Sequence, residues 1–153
     1  MEQLALTAEC VPFLLRALKG NTTIKQLSLS GNNLMEEGLL ALITGDKSAL
    51  KRVPNLDSID VSSNMIGPDA KLATALKDFL LGNKFLKSFL FHDNPIDKEC
   101  GEILLEAVTP KEKVLEEFSV FAGLPAELYE KLCLSKGGGK KKKGKKKKKK
   151  KKK

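Results

Sequence analysis

A chain of 153 residues has room for one domain and one core, and a single histidine with three scattered cysteines excludes a plausible four-ligand metal site. The formal charge of +9 hides two objects: thirteen lysines crowd into residues 140–153, while residues 1–139 carry fifteen Lys and Arg against nineteen Asp and Glu, a net −4. No apolar run reaches the roughly 18 residues of a membrane span. Cys10, Cys100 and Cys133, sparse and odd in number, suit a reducing compartment, so an intracellular setting is expected, with cytoplasm, cytoskeleton and nucleus all open.

The first twenty residues, MEQLALTAECVPFLLRALKG, lack a basic start and are interrupted by Glu9, Pro12 and Arg16. They read as an amphipathic helix over residues 4–19 rather than a signal peptide, and the sequon at Asn21-Thr22-Thr23 is then expected to be unused. From Ile24 the chain runs IKQLSLSGNNL, from Leu56 LDSIDVSSNMI and from Leu86 LKSFLFHDNPI. All three fit LxxLxLxxNxL in register. The apolar positions are Ile24, Leu27, Leu29 and Leu34, then Leu56, Ile59, Val61 and Ile66, then Leu86, Phe89, Phe91 and Ile96; the asparagines are Asn32, Asn64 and Asn94. A fourth unit, LEEFSVFAGL, keeps Leu115, Phe118 and Val120 but has Gly123 where an asparagine belongs.

Successive units start 32, 30 and 29 residues apart, which leaves space after each strand for a helix. Residues 36–44, 69–81 and 97–108 carry the i, i+3, i+4 apolar spacing of a helix with one buried face. Asp69 and Asp97 are candidate N-caps. The stretch GDKSALKRVPN between the first two units is polar and reads as a loop, and residues 124–132 read as a closing helix with Pro125 near its first turn.

Strands alternating with helices over short connections demand parallel pairing and right-handed crossovers. No single unit can bury its apolar stripe, so the units must stack. On these motifs, over roughly residues 4–124, the chain resembles the ribonuclease-inhibitor class of leucine-rich repeats. The resemblance implies an α/β fold: a short, curved, right-handed solenoid with a parallel sheet inside and helices outside, which binds proteins on its concave face or edges. The expected organisation is a repeat domain over residues 1–135 capped by terminal helices, then a disordered Gly/Lys tail over residues 136–153, with Gly137-Gly138-Gly139 as its hinge.

Period-two alternation turns Gln26, Ser28 and Ser30, then Ser58, Asp60 and Ser62, then Ser88, Leu90 and His92, and finally Glu117, Ser119 and Phe121 toward solvent on the concave side. That face becomes apolar only at Leu90 and Phe121, which are either covered by the closing helix or exposed as a partner hot spot. Ser58, Asp60, Leu90, His92 and Phe121 are the candidate protein-binding residues. Ser62, His92 and Asp60 could be drawn as a catalytic triad, but an open sheet supplies neither an oxyanion hole nor a dry pocket, so no enzyme is expected. No cofactor is expected either. Asn32, Asn64 and Asn94 read as structural, satisfying backbone groups where the chain leaves each strand.

The tail lysines, Lys140, Lys141, Lys142, Lys143, Lys145, Lys146, Lys147, Lys148, Lys149, Lys150, Lys151, Lys152 and Lys153, lack arginine forks and interleaved aromatics and so cannot read sequence. They can attract any dense polyanion: an acidic protein tail, nucleic acid or an anionic membrane surface. The functional expectation is a non-enzymatic protein-binding or adaptor module with a protein partner on the solenoid and an acidic polymer on the tail. The alternative is a nucleic-acid-associated protein whose tail is the main binding element and whose repeats are scaffold.

Overall fold

The computed structural model describes residues 4–48, 50, 53–109 and 115–134. A 3-10 turn over Ala8–Cys10 leads into α1 (Val11–Leu18), and then strand and helix alternate. The order is β1 (Gln26–Ser28), α2 (Met35–Ser48), β2 (Ser58–Asp60), α3 (Ala70–Gly82), β3 (Ser88–Leu90), α4 (Lys98–Val108), β4 (Glu117–Ser119) and α5 (Ala126–Leu132). The four strands form one parallel sheet in the order β1-β2-β3-β4.

Register follows the repeat without slippage. Leu27 pairs with Ile59, Ile59 with Phe89 and Phe89 with Phe118, so equivalent positions of every unit stand side by side. A slip of one residue would turn each unit's apolar set outward, and the burial that forbids it is visible. Leu27, Leu29, Ile59, Val61, Phe89, Phe91, Phe118 and Val120 are all buried. Phe89 is the hub, its ring centroid 6.4 Å from Phe79, 6.4 Å from Phe91 and 6.3 Å from Phe118. Burying such a ring contributes on the order of 1.5–3 kcal/mol, and the stacked geometry adds to it.

The helices form the outer layer. Asp69 and Asp97 cap α3 and α4, each side chain accepting a 2.8 Å hydrogen bond from an N–H of the first turn, that of Leu72 and of Cys100 respectively. The first turns of α2, α4 and α5 carry Glu36 and Glu37, Glu99, and Glu127, which oppose the positive end of the helix dipole.

Several expectations are corrected. The leading helix does not span residues 4–19: helical structure starts only at Ala8, because Leu4 and Leu6 give their N–H groups to the Asn32 side chain at 3.0 and 3.1 Å. Residues 4–7 thus repeat toward Asn32 the bonding that Asn64 and Ile66 make to Asn94, with Thr7 bridged in parallel to Asn33. Helix α2 runs on to Ser48, so the inserted polar stretch starts as helix, and Leu50 and Val53 within it are buried. At the other end Leu134 pairs antiparallel with Phe118 through reciprocal bonds of 3.0 and 2.9 Å and covers part of the outer edge of β4, which would otherwise template further pairing. The lysine tail lies outside the described residues.

Candidate functional site

The concave face is positioned by the asparagines behind it. Asn64 Nδ2 donates to the carbonyls of Leu29, Val61 and Ser62 at 2.9, 3.0 and 3.0 Å, and its Oδ1 accepts from Leu34 N–H at 3.3 Å. Asn94 repeats the pattern one unit on, donating to Val61, Phe91 and His92 carbonyls and accepting from the N–H groups of Asn64 and Ile66. Each buried amide therefore satisfies its own unit and the preceding one, which fixes the angle at which every chain leaves its strand. The residue before each asparagine is left-handed: Gly31, Ser63 and Asp93 have φ of 69°, 54° and 56°.

Three rows cross the concave face. Gln26, Ser58, Ser88 and Glu117 form the first, and Ser28, Asp60, Leu90 and Ser119 the second. The same step carried two residues onward aligns Ser62, His92 and Phe121. Asp60 and Leu90 are thus lateral neighbours, as are His92 and Phe121, and Ser58 stands two residues before Asp60 on the same face, at the far end from Phe121. All five candidate residues keep exposed surface: Ser58, Asp60, Leu90 and Phe121 are half-buried and His92 is exposed.

Ser62 and Ser88, expected at the surface, are buried. Ser62 Oγ lies 2.9 Å from His92 Nδ1, and the Ser88 hydroxyl donates to Glu117 Oε2 at 2.7 Å. The larger side chains of the next unit roof the smaller ones. His92 Nδ1 also approaches Ser119 Oγ at 3.3 Å, so one ring nitrogen ties three units together. Asp60 accepts from Ser62 N–H at 2.9 Å rather than from the imidazole, and Asp93 stands 4.0 Å from Nε2. With its hydroxyl sealed under His92, Ser62 has no approach for an electrophile, so the Ser-His-Asp set is a surface polar network.

Phe121 packs against its own turn. Its ring folds over Gly123, where a Cβ would meet Phe121 Cε1 at 2.2 Å. The missing fourth asparagine is therefore a requirement of the ring's position, because only glycine leaves space for it. Phe121 is half-buried, two residues beyond β4 and close in register to half-buried Leu90.

Sequence reasoning missed a second recurrent asparagine. Asn21 Oδ1 accepts from the N–H groups of Thr23 and Ile24, and Asn83 Oδ1 from those of Phe85 and Leu86. Both lie three residues before the start of a unit and set the turn into its strand; that spacing was the available signal. Cys100 is buried, which pushes its thiol up to about 11, whereas Cys10 and Cys133 are half-buried. Among the described residues no group of three His, Cys, Asp or Glu side chains is placed to hold a metal ion, and no helix is long and apolar enough to cross a membrane.

No family model matches the chain. It is 43% identical over 68 residues to leucine-rich repeat-containing protein 41 of Homo sapiens and of Rattus norvegicus, covering 44% of this chain and 8% of those proteins. It is 35% identical over 104 residues to Tonsoku-like protein of Bos taurus, covering 66% of this chain and 7% of the relative. The chain thus spans less than a tenth of the length of these curated relatives. The solved tropomodulin C-terminal domain of Caenorhabditis elegans shares the fold, with a TM-score of 0.52 at 16% identity over 72% of this chain and 62% of that one.

Proposed function

Because the chain is a leucine-rich-repeat protein, we propose that it is a non-enzymatic protein-binding or adaptor module which grips a protein partner at the C-terminal end of its concave face. The observation that carries this reading is the pairing of half-buried Leu90 and Phe121 with Asp60 and His92 on a sheet whose other concave residues are small or polar. A partly exposed aromatic ring beside an aliphatic side chain and a polar rim is the composition of a binding hot spot. Asp60 and Ser58 would fix orientation, and the network through Ser62, His92 and Ser119 holds the rim in one geometry, which lowers the entropic cost of association.

In this proposal the lysines of residues 140–153 supply a second, unspecific attachment to an acidic polymer, and tethering the two contacts raises avidity by effective concentration. An intracellular setting suits the three free cysteines. Binding should be measured for the full chain and for a chain with residues 140–153 replaced by Gly and Ser, at low and moderately high salt. The adaptor reading expects protein partners that survive both the replacement and the salt. If every interaction disappears with the tail, the lysine run is the main binding element and the repeats are scaffold.

A further inference from the structure

One cleft lies away from the concave face, on the helical layer. Between α1 and α2 opens a groove of about 430 Å³, floored by Val11, Leu15, Ala41 and Gly45 and rimmed at one end by Arg16 and Lys19. The floor is apolar because of specific residues. Gly45 leaves it open, since a Cβ there would come within 2.8 Å of Leu15 Cδ1, and Ala41, one helical turn earlier, adds only a methyl group. The next side chain along α1 from Pro12, Phe13, is 75% exposed.

Among the described residues the charged lining of the groove is basic. Arg16 and Lys19 are both exposed, and neither makes an ion pair among the described residues, where Lys77 and Lys98 do. Arg16 sits in the last turn of α1 and Lys19 is its C-cap residue, where the carbonyl end of the helix favours cations without the help of a carboxylate. The groove thus offers an apolar trough about as long as α1, eight residues or roughly 12 Å, ending in two positive charges that have no ion-pair partner among the described residues.

From this complementarity we propose that the groove between α1 and α2 docks an acidic amphipathic helix of a partner protein. Its aliphatic stripe would lie against Leu15 and Ala41, and carboxylates at one end would meet Arg16 and Lys19. Apolar anchors at i, i+3, i+4 and i+7 match such a trough, and a pair of carboxylates answers the rim. The site is separate from the concave surface and does not depend on it.

The test uses the full chain and a fluorescein-labelled helical peptide with leucine at i, i+3, i+4 and i+7 and glutamate and alanine elsewhere. Excess polyglutamate is added to occupy the lysine tail, and binding is followed by fluorescence anisotropy. Saturable binding is expected that Ala41→Trp, which fills the trough, weakens by roughly tenfold or more, with a similar loss in the double variant R16E/K19E. Phe121→Ala should leave this affinity unchanged, so failure here and failure of the concave-face reading are distinguishable. Should Ala41→Trp not fold, the two exposed charge changes still decide the matter. Peptide affinity indifferent to both variants overturns the proposal. So does self-association of the chain that Ala41→Trp abolishes, which would make a second copy the occupant.

Discussion

In the second and third units a buried asparagine follows the strand, and in the fourth a glycine does; the two solutions serve opposite ends. Asn64 and Asn94 spend every polar atom on backbone groups of two adjoining units, which locks the interior. Gly123 brings no amide, and the space is taken by the ring of Phe121. The interior is thereby specified by hydrogen bonds that exclude alternatives, whereas the C-terminal end carries an aromatic side chain poised at the surface. Repetition stabilises the solenoid, and departure from the repeat leaves the half-buried ring on which the proposed binding surface rests.

This contrast can be broken most severely at its interior. Phe89→Ala removes the ring that touches Phe79, Phe91 and Phe118, and should cost about 3 to 5 kcal/mol through lost burial and a residual cavity, read as a lower denaturant midpoint. Asn64→Ala should come next, at roughly 1 to 3 kcal/mol for each buried group left unpaired. Gly123→Ala tests the other side: the added methyl collides with Phe121 and should displace the half-buried ring at a cost of less than about 1 kcal/mol, as for changes made outside a core. The ring's displacement is measurable from its NMR shifts.

The smallest effect is in pH. The Cys100 N–H bond at its N-cap holds the Asp97 carboxyl below its ordinary value. A depressed folded pKa contributes stability that is present above the unfolded value, about 3.9, and is lost as pH falls through the folded one. Asp97→Asn keeps a capping oxygen but does not titrate there. Its unfolding midpoint should therefore depend less steeply on pH than the parent's below about pH 4; equal slopes would show that the cap carries no charge-dependent part.

Much of the interior was legible because the repeat dictates it. Apolar residues at fixed offsets set Leu27, Ile59, Phe89 and Phe118 side by side, and the register follows from equal positions in equal units. Asp69 and Asp97 announced two helix starts in the same way. Features made by one unit acting on another were not legible. Ser62 and Ser88 are buried because His92 and Glu117 of the next unit lie over them, which alternation within a single strand cannot reveal. The late start of the leading helix depends on Asn32 capturing Leu4 and Leu6 N–H groups 28 and 26 residues away. The fold of Phe121 onto Gly123 likewise requires the ring's actual direction, and the bare letters supply only a missing asparagine.

The claim that the C-terminal concave end is a binding surface is tested most directly by Phe121→Ala, with affinity for a captured protein partner and unfolding midpoint measured on the same sample. Because the ring is half-buried and lies over a glycine, its removal should leave the midpoint shifted by less than about 1 kcal/mol in stability, within the range of changes made outside a core. Partner affinity should fall by roughly tenfold or more, as for an aromatic hot spot. A large loss of stability with affinity of the folded fraction unchanged would contradict the account and make Phe121 part of the terminal packing alone.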